Sequence, residues 1–232
     1  MEIKVLASGS KGNCYWISDG HTPLLLECGI PFKAIRQGLD FKLSEVAGCL
    51  VSHSHFDHSK ACKELMGAGV SIYTSNPTAK ALGLDGHRLT LIKEGFPFKV
   101  GSWRVMPFDT EHDCEGSCGY LLANKAGEKL IFITDSYYCR YKFNGLTHIM
   151  IECNYASDIL QANIDRGSIN PALARRLLRS HFSLDNVKEF LRANDLSQVE
   201  SIHLMHLSDG NSDEARFKRE IQQLTGKLVI TC

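Results

Sequence analysis

The stretch "LVSHSHFDHSKACKEL", Leu50 to Leu65, is the most informative part of the sequence for the architecture of the chain. His53, His55, Asp57 and His58 follow its short apolar run within six residues. In extended chain His53 and His55 point to the same side, so they can bind one metal ion as a pair. Asp57 and His58 come at the turn into a following helix, where they can face a second ion. Imidazole nitrogen and carboxylate oxygen suit zinc, manganese or iron. The stretch predicts a metal site after a buried strand.

The composition is that of an ordinary folded protein. The chain has 232 residues, 44% of them hydrophobic, and its 26 lysines and arginines equal its 26 aspartates and glutamates. This length fits one domain over residues 1–232. The balanced charge gives no global preference for nucleic acid or for an anionic membrane. The sequence has neither a transmembrane-length apolar stretch nor a signal peptide, which predicts a cytoplasmic protein whose nine cysteines are reduced.

Strand and helix patterns divide the chain roughly in half. The first half consists of short segments rich in β-branched and aromatic residues, separated by turn signals. Helices are predicted over Phe32 to Leu39 and from near Ser59. Apolar residues recur at helical spacing in three later segments, 171–182, 184–195 and 212–224. The pattern predicts the α/β (α+β) class, with two mixed β-sheets facing each other and helices outside.

Ligand-type side chains end several of the most apolar predicted strands. These residues are His53, His112, Asp135, Glu152 and His206. An apolar strand that packs on both faces is a rigid place to mount a functional group. We therefore expect the five side chains to meet at one edge of the layered core.

The motif His53-x-His55-x-Asp57-His58 resembles the signature of the metallo-β-lactamase-fold hydrolases, and the similarity extends over the whole chain. The resemblance implies an αββα four-layer sandwich and two divalent metal ions, zinc or manganese. The ligands that it implies are His53, His55 and His112 for one ion, Asp57, His58 and His206 for the other, and Asp135 between the two.

Finer detail resembles the YycJ-like branch of that family, which is related to tRNase Z and ribonuclease J. The matching segments are "LASGSKGN" (6–13), "IECNY" (151–155), "SHFSLDN" (180–186) and "MHLSDGN" (205–211). The chain departs from the family at Glu27 in "LLLECGI", where an aspartate usually supports the metal loop from behind. We expect the longer acid to take the same role with some shift.

The implied metal centre favours phosphodiester hydrolysis. Two ions about 3.5–4 Å apart can share a hydroxide and clamp the attacking and leaving oxygens. The resemblance to a nuclease branch makes DNA or RNA the favoured substrate. Asp57 is expected to orient the attacking water in addition to binding metal. Glu152 or His181 is expected to support a ligand or to protonate the leaving group.

Other functions remain open at this point. A cyclic-nucleotide phosphodiesterase would suit a compact chain, and a thioester or lactone hydrolase can have the same fold. A scaffold protein with a relict site is the alternative outside enzymology, although the complete ligand set counts against it. The expected partners are a nucleic acid or nucleotide substrate and a second copy in a homodimer, with no membrane.

The remaining histidines and a group of arginines have separate expectations. His21 and His87 are predicted to be solvated, and His148 and His203 to make structural hydrogen bonds. Three arginines precede His181 on a predicted helix, namely Arg175, Arg176 and Arg179. They offer cations to phosphate, or form an ordinary solvated helix face.

Overall fold

Short apolar strands joined by tight turns and helices build both parts of the molecule. The computed structural model describes residues 1–232, and the chain divides into two compact units. The first unit comprises Met1–Asp109 and Cys114–Glu128, and the second comprises Thr110–Asp113 and Lys129–Cys232. The expectation of one domain over residues 1–232 stays a prediction.

The first unit contains a six-stranded mixed sheet whose strand order follows the chain. Its strands are β1 (Glu2–Ala7), β2 (Cys14–Ser18), β3 (Leu24–Leu26), β4 (Gly48–Leu50), β5 (Ile72–Ser75) and β6 (Leu89–Ile92). The pairings β1–β2 and β2–β3 are antiparallel, whereas the pairings from β3 to β6 are parallel. Because parallel neighbours need crossover connections, helices lie between these last strands. The helices are α1 (Phe32–Gly38), α2 (Phe56–Ser59), α3 (Cys62–Gly67) and α4 (Asn76–Leu82), with a 3₁₀ turn at Leu43–Glu45.

Apolar side chains of these strands and helices form one core cluster. Leu25, Cys49 and Ile72 from the sheet pack with Ile35 and Leu65 from the helices, and all five are fully buried. Removing this much apolar surface from water is the main stabilising term of such a unit. The core fixes β4, and so fixes the start of the histidine-rich loop that follows it.

An antiparallel meander completes the first unit. Its strands are β7 (Phe98–Val100), β8 (Trp103–Asp109) and β9 (Cys118–Ala123), and each pairs with the next. Trp103 is fully buried, and its indole nitrogen donates a hydrogen bond of 2.9 Å to the carbonyl oxygen of Thr22. The meander is thereby tied to the turn between β2 and β3.

The second unit contains four parallel strands. They are β10 (Lys129–Ile133), β11 (His148–Glu152), β12 (Ser201–Met205) and β13 (Leu228–Thr231), paired in that order. Every residue of β11 and β12 is buried, as near-continuous apolar runs in a parallel sheet require. Parallel strands end at the same edge of their sheet, so β10, β11 and β12 deliver the residues that follow them to one place.

Four helices belong to the second unit. They are α5 (Ser157–Asp165), α6 (Pro171–Ser180), α7 (Leu184–Ala193) and α8 (Glu214–Thr225). Ser183 caps α7 by accepting a hydrogen bond from the backbone N–H of Asn186, and α8 packs against β13 and α7. None of the helices in the chain combines the length and the apolar character that crossing a membrane requires.

The predicted helices are found with small changes at their ends. The helix expected over Phe32 to Leu39 ends at Gly38, and the three later segments form α6, α7 and α8. The helix expected near Ser59 is divided into α2 and α3. Two helices were not predicted, α4 and α5. Their buried residues are few, Thr78 and Ala79 in α4 and Leu160 in α5, so their apolar periodicity is weak.

Candidate metal centre

The histidine-rich loop of the first unit brings its imidazole rings together. His53 is buried, and its Nε2 lies 3.0 Å from Nδ1 of His55. The ring centroids of His53 and His58 are 4.2 Å apart. Asp57 and His58 lie inside the short helix α2, not before it, and Asp57 Oδ2 is 3.5 Å from His58 Nε2. These contacts bring the four side chains together within this unit. Their assignment to two metal ions stays a prediction.

Glu27 lies behind this loop and is fully buried. Its Oε2 is 3.3 Å from Nδ1 of His58, and its Oε1 accepts a hydrogen bond of 3.0 Å from the backbone N–H of Ser52. Burial raises the pKa of the Glu27 carboxyl above its usual value, although the contacts with His58 and Ser52 act in the opposite direction. Its backbone has φ of 64°, in the left-handed region that non-glycine residues rarely adopt. This strained backbone aims the longer acid at the imidazole of His58. The expected supporting role of Glu27 stays a prediction.

The serine- and glycine-rich segment near the N-terminus forms a cradle under the same loop. The backbone N–H of Asn13 donates to the carbonyl oxygen of Asp57 at 2.7 Å, and the Asn13 side-chain nitrogen lies 3.2 Å from His58 Nε2. A Cβ atom on Gly29 would lie 1.7 Å from the same carbonyl oxygen, and one on Gly12 would lie 2.5 Å from the carbonyl oxygen of Gly29. Both glycines are needed because the backbones approach this closely.

Glu27 gives a first testable expectation. In Glu27→Gln the side chain keeps its size but loses the charge that orients the His58 imidazole. We expect metal affinity to fall about 10- to 100-fold, the usual effect of losing a carboxylate that supports a histidine ligand. Isothermal titration of metal-free protein measures this change, with Glu45→Gln on the 3₁₀ turn as the control. Unchanged affinity in Glu27→Gln would contradict the supporting role.

The second unit places acidic and imidazole groups at the carboxyl edge of its parallel strands. Glu152 ends β11, His206 directly follows β12, and Asp135 lies two residues beyond β10. All three are buried. Asp135 and His206 have φ of 37° and 52°, so both leave their strands through the left-handed region. Such backbone strain costs on the order of 1–3 kcal/mol per residue and clusters at functional sites.

The side chains at this edge lie within hydrogen-bonding distance of one another. Nδ1 of His206 is 3.0 Å from Asp135 Oδ1 and 3.1 Å from Glu152 Oε1. Nδ1 of His181, which follows α6, is 2.5 Å from the same Glu152 oxygen. His112 points its Nε2 at Asp135 Oδ2, 3.9 Å away, while its Nδ1 lies 3.0 Å from the carbonyl oxygen of Ser180. That contact favours the tautomer in which Nε2 carries the lone pair.

Glu152 and His181 shift each other's pKa. Burial is the largest influence on Glu152 and would raise its pKa, but attraction to His181 and hydrogen bonds from His181 and His206 lower the pKa overall. For His181, burial would lower the pKa, and the Glu152 charge and hydrogen bond, helped by Asp135, raise it overall. Glu152 also accepts backbone hydrogen bonds from Ser136 and Phe182, both 3.1 Å. The carboxylate and the imidazole thus shift each other's pKa in opposite directions.

The donor atoms of this edge fit a divalent cation. Asp135, Glu152, His181 and His206 each offer a nitrogen or carboxylate oxygen, and these four atoms lie within 4.8 Å of one another. Imidazole nitrogen and carboxylate oxygen are the ligands that zinc and manganese take in proteins. The division of ligands between two ions that the resemblance implies stays a prediction.

Several supporting residues were not predicted from the sequence. Asn13 holds the histidine-rich loop, and Asn154 donates a hydrogen bond of 2.9 Å to the carbonyl oxygen of His206. Both asparagines lie in segments that match the YycJ-like branch, which was the available signal. Their roles depend on contacts between residues far apart in sequence, so no local pattern reveals them.

The other histidines occupy the environments expected of them. His21 and His87 are exposed. His148 Nδ1 lies 2.8 Å from Thr147 Oγ1, and His203 Nε2 lies 3.2 Å from Ser201 Oγ. Among the arginines of α6, Arg176 pairs with Asp113 at 2.7 Å. Arg175 and Arg179 are exposed.

Solved structures define the class to which this fold corresponds. The metallo-β-lactamase fold protein YhfI from Bacillus subtilis matches with a TM-score of 0.77 and 15% identity, covering 99% of this chain and 95% of that one. Human tRNase Z, short form, matches with a TM-score of 0.67 and 14% identity, covering 100% of this chain and 96% of that one. The chain therefore has the metallo-β-lactamase fold, and the predicted fold class is confirmed.

A sequence relative indicates the branch. The chain is 26% identical over 241 residues to the exodeoxyribonuclease YycJ of Bacillus anthracis, covering 97% of this chain and 89% of the relative. No family model matches the sequence. The resemblance to the YycJ-like branch of metallo-β-lactamase-fold proteins is confirmed by this relative and by the tRNase Z match.

Proposed function

We propose that this protein is a metal-dependent phosphodiesterase that hydrolyses nucleic acid, with DNA the favoured substrate. The observation that carries the proposal is the group at one sheet edge in which the buried Asp135 and His206 offer ligand atoms beside the carboxylate–imidazole pair of Glu152 and His181. The name of the Bacillus anthracis relative, an exodeoxyribonuclease, supports this substrate class. The match to tRNase Z supports phosphodiester chemistry in the same fold.

The proposed cofactor is a pair of divalent ions, zinc or manganese. The ligand set is the one that the resemblance implies, with His53, His55 and His112 for one ion, Asp57, His58 and His206 for the other, and Asp135 shared. When bound, such ions stabilise negative charge on the reacting phosphate and lower the pKa of water. The protein contributes fixed imidazole and carboxylate positions, set by Glu27, Asn13 and the strained strand ends.

Asp57 is proposed to act on the attacking water. Its carboxylate is partly exposed, with 26% of its side-chain surface accessible, whereas the neighbouring His58 is fully buried. Its backbone oxygen is fixed by Asn13. A carboxylate with a fixed backbone and a partly solvated oxygen can orient a water molecule and accept its proton.

Glu152 and His181 are proposed to deliver a proton to the leaving oxygen. Glu152 engages Nδ1 of His181, so the other ring nitrogen remains for the departing group. His181 is slightly exposed, at 12% of its side-chain surface, which gives the substrate access to it. The carboxylate keeps the imidazole protonated until the bond to phosphorus breaks.

The proton-donor role makes His181→Ala sensitive to the leaving group. We expect the variant to lose about 100-fold or more in kcat on a DNA oligonucleotide, the usual contribution of a general acid. On bis(p-nitrophenyl) phosphate the loss should be much smaller, because nitrophenolate departs without a proton. Initial rates on both substrates measure this difference.

The controls for this comparison are the metal content of His181→Ala and the activity of His87→Ala, a variant at an exposed histidine. His181→Ala should retain its metal, and His87→Ala should match the wild type on both substrates. Equal losses on the two substrates would remove the proton-donor role.

Hydrolysis of a thioester by the wild type, without hydrolysis of either phosphodiester, would overturn the proposed function in favour of the thioester or lactone alternative. Preference for a cyclic nucleotide over every oligonucleotide would favour the other alternative.

The location and the oligomeric state of the protein are also proposed. We propose that the protein works in the cytoplasm, where its nucleic acid substrate is present and thiols stay reduced. A homodimer is proposed because dimers are common in the families that the chain resembles. Size-exclusion chromatography with light scattering tests the oligomeric state.

A further inference from the structure

A loop rich in aromatic and basic residues directly follows Asp135 and has no part in the function proposed above. The aromatic loop, Tyr137 to Phe143, has the sequence "YYCRYKF". Its first two side chains are open to solvent, Tyr137 at 39% and Tyr138 at 46% of their accessible surface. Large aromatic side chains are normally buried, so two adjacent exposed tyrosines are unusual. These two lie only two and three positions after the buried Asp135 in the sequence, which suggests a role in binding.

The backbone of the aromatic loop is held firmly. The N–H of Tyr137 donates to the carbonyl oxygen of Glu111 at 3.1 Å, and the Asn186 side chain donates to the carbonyl oxygen of Tyr137 at 2.7 Å. Ser136 Oγ donates to the carbonyl oxygen of Tyr138, also at 2.7 Å. The two exposed rings therefore sit on a fixed backbone, which lowers the entropy cost of placing a ligand against them.

The later aromatic residues of the loop anchor it to the second unit. The backbone N–H of Phe143 donates to Asn194 Oδ1 at 2.7 Å, and its ring centroid lies 6.3 Å from that of Phe190 on α7. Tyr141 lies against Phe143, with ring centroids 6.4 Å apart. Packing thus accounts for Tyr141 and Phe143 and leaves Tyr137 and Tyr138 as the rings available to a ligand.

The acidic residues on either side of His112 in sequence form ion pairs with two arginines. Arg140 is 53% exposed and pairs with Glu111, and Lys142 is exposed. On the other side, Asp113 pairs with Arg176 of α6. The segment Glu111 to Asp113 therefore connects the aromatic loop, the site histidine His112 and the basic helix. Positive charge beside stacking surfaces is the combination that binds single-stranded nucleic acid.

We propose that Tyr137 and Tyr138 stack on unpaired bases at the end of a single-stranded nucleic acid and so position its backbone beside Asp135. This inference rests on the proposed function and specifies its substrate as single-stranded. In a duplex the faces of the bases are covered by their neighbours, so ring faces can be reached only when bases are unpaired. Lys142 contributes charge to phosphates without reading sequence, and Arg140 can do so by exchanging its ion pair with Glu111 for a phosphate.

The test is binding of a single-stranded phosphorothioate oligodeoxynucleotide, which resists hydrolysis, measured by fluorescence anisotropy. The double variant Tyr137→Ala/Tyr138→Ala should bind at least about tenfold more weakly than the wild type, since stacking on two aromatic rings together is worth at least that order of affinity. Tyr137→Phe/Tyr138→Phe should bind like the wild type, because stacking needs the ring and not the hydroxyl. Phe96→Ala, which removes an exposed ring in the first unit, is the control.

Three results would overturn the inference. They are unchanged binding in the double alanine variant, an equal loss of affinity for a blunt duplex, and a shift from dimer to monomer, which would assign the tyrosines to self-association. Circular dichroism and thermal unfolding check that the variants are folded. Failure of the proposed function is separate, because it appears as a wild type that binds the single strand but hydrolyses no phosphodiester.

Discussion

Asp135→Asn should lose bound metal at both predicted sites and reduce phosphodiesterase activity by more than about 100-fold, beyond the upper end of what losing a supporting residue costs. The Asp135 carboxylate is buried, 3.0 Å from Nδ1 of His206, and accepts a hydrogen bond of 2.9 Å from Thr134 Oγ1. In the proposed role of an acid shared between two ions, it would supply charge that an amide cannot replace. Asparagine tolerates the left-handed backbone at this position better than most residues, so this variant separates loss of charge from loss of fold.

Metal content distinguishes a shared ligand from an ordinary one. Elemental analysis should find close to two ions per chain in the wild type, a loss of both in Asp135→Asn, and a loss mainly of one in His206→Ala. His87→Ala, at an exposed position, should keep the wild-type content. Two tightly retained ions in Asp135→Asn would show that the assignment of a shared ligand is wrong.

Asp57→Asn should reduce turnover by about 10²- to 10⁴-fold even at saturating metal, the range expected of a general base. The Asp57 backbone is fixed through Asn13, and an amide has nearly the same shape, so the variant should keep its position. It can still contact a metal ion through its oxygen but cannot accept a proton.

The measurement is kcat at increasing metal concentration on bis(p-nitrophenyl) phosphate. If kcat of Asp57→Asn stays low at every metal concentration, the result supports a role for Asp57 in orienting and deprotonating water. Recovery of wild-type turnover when metal is raised would reduce Asp57 to a ligand and remove its catalytic role. Asp40→Asn, at a residue exposed on the surface of the first unit, is the matched control.

Much of the fold and of the donor set follows from local sequence. The order His53, His55, Asp57 and His58 after an apolar strand is a local pattern, and the structure brings these four together in the first unit. Residues at the ends of apolar strands could also be predicted to lie close together, because the strands of a parallel sheet end at one edge. In the second unit, Asp135, Glu152 and His206 lie together for this reason.

What the sequence could not provide depends on contacts between distant segments. The pairing of Glu152 with His181 joins residues 29 positions apart, and that of Asn13 with His58 joins residues 45 apart. Glu27 was recognised as a departure from the family, but its strained backbone and its reach to His58 were not visible in the sequence. Helices α4 and α5 were missed because few of their residues are buried, so their apolar periodicity is weak.

We propose that this chain, when it holds divalent metal, hydrolyses phosphodiester bonds in nucleic acid. The most direct test of this proposal is cleavage of a labelled single-stranded DNA oligonucleotide by metal-stripped protein, with zinc or manganese added back in measured equivalents. We expect no cleavage without metal, and a cleavage rate that stops rising once two equivalents of metal per chain have been added. Absence of cleavage at every metal concentration, in a preparation that is folded and binds metal, would contradict it.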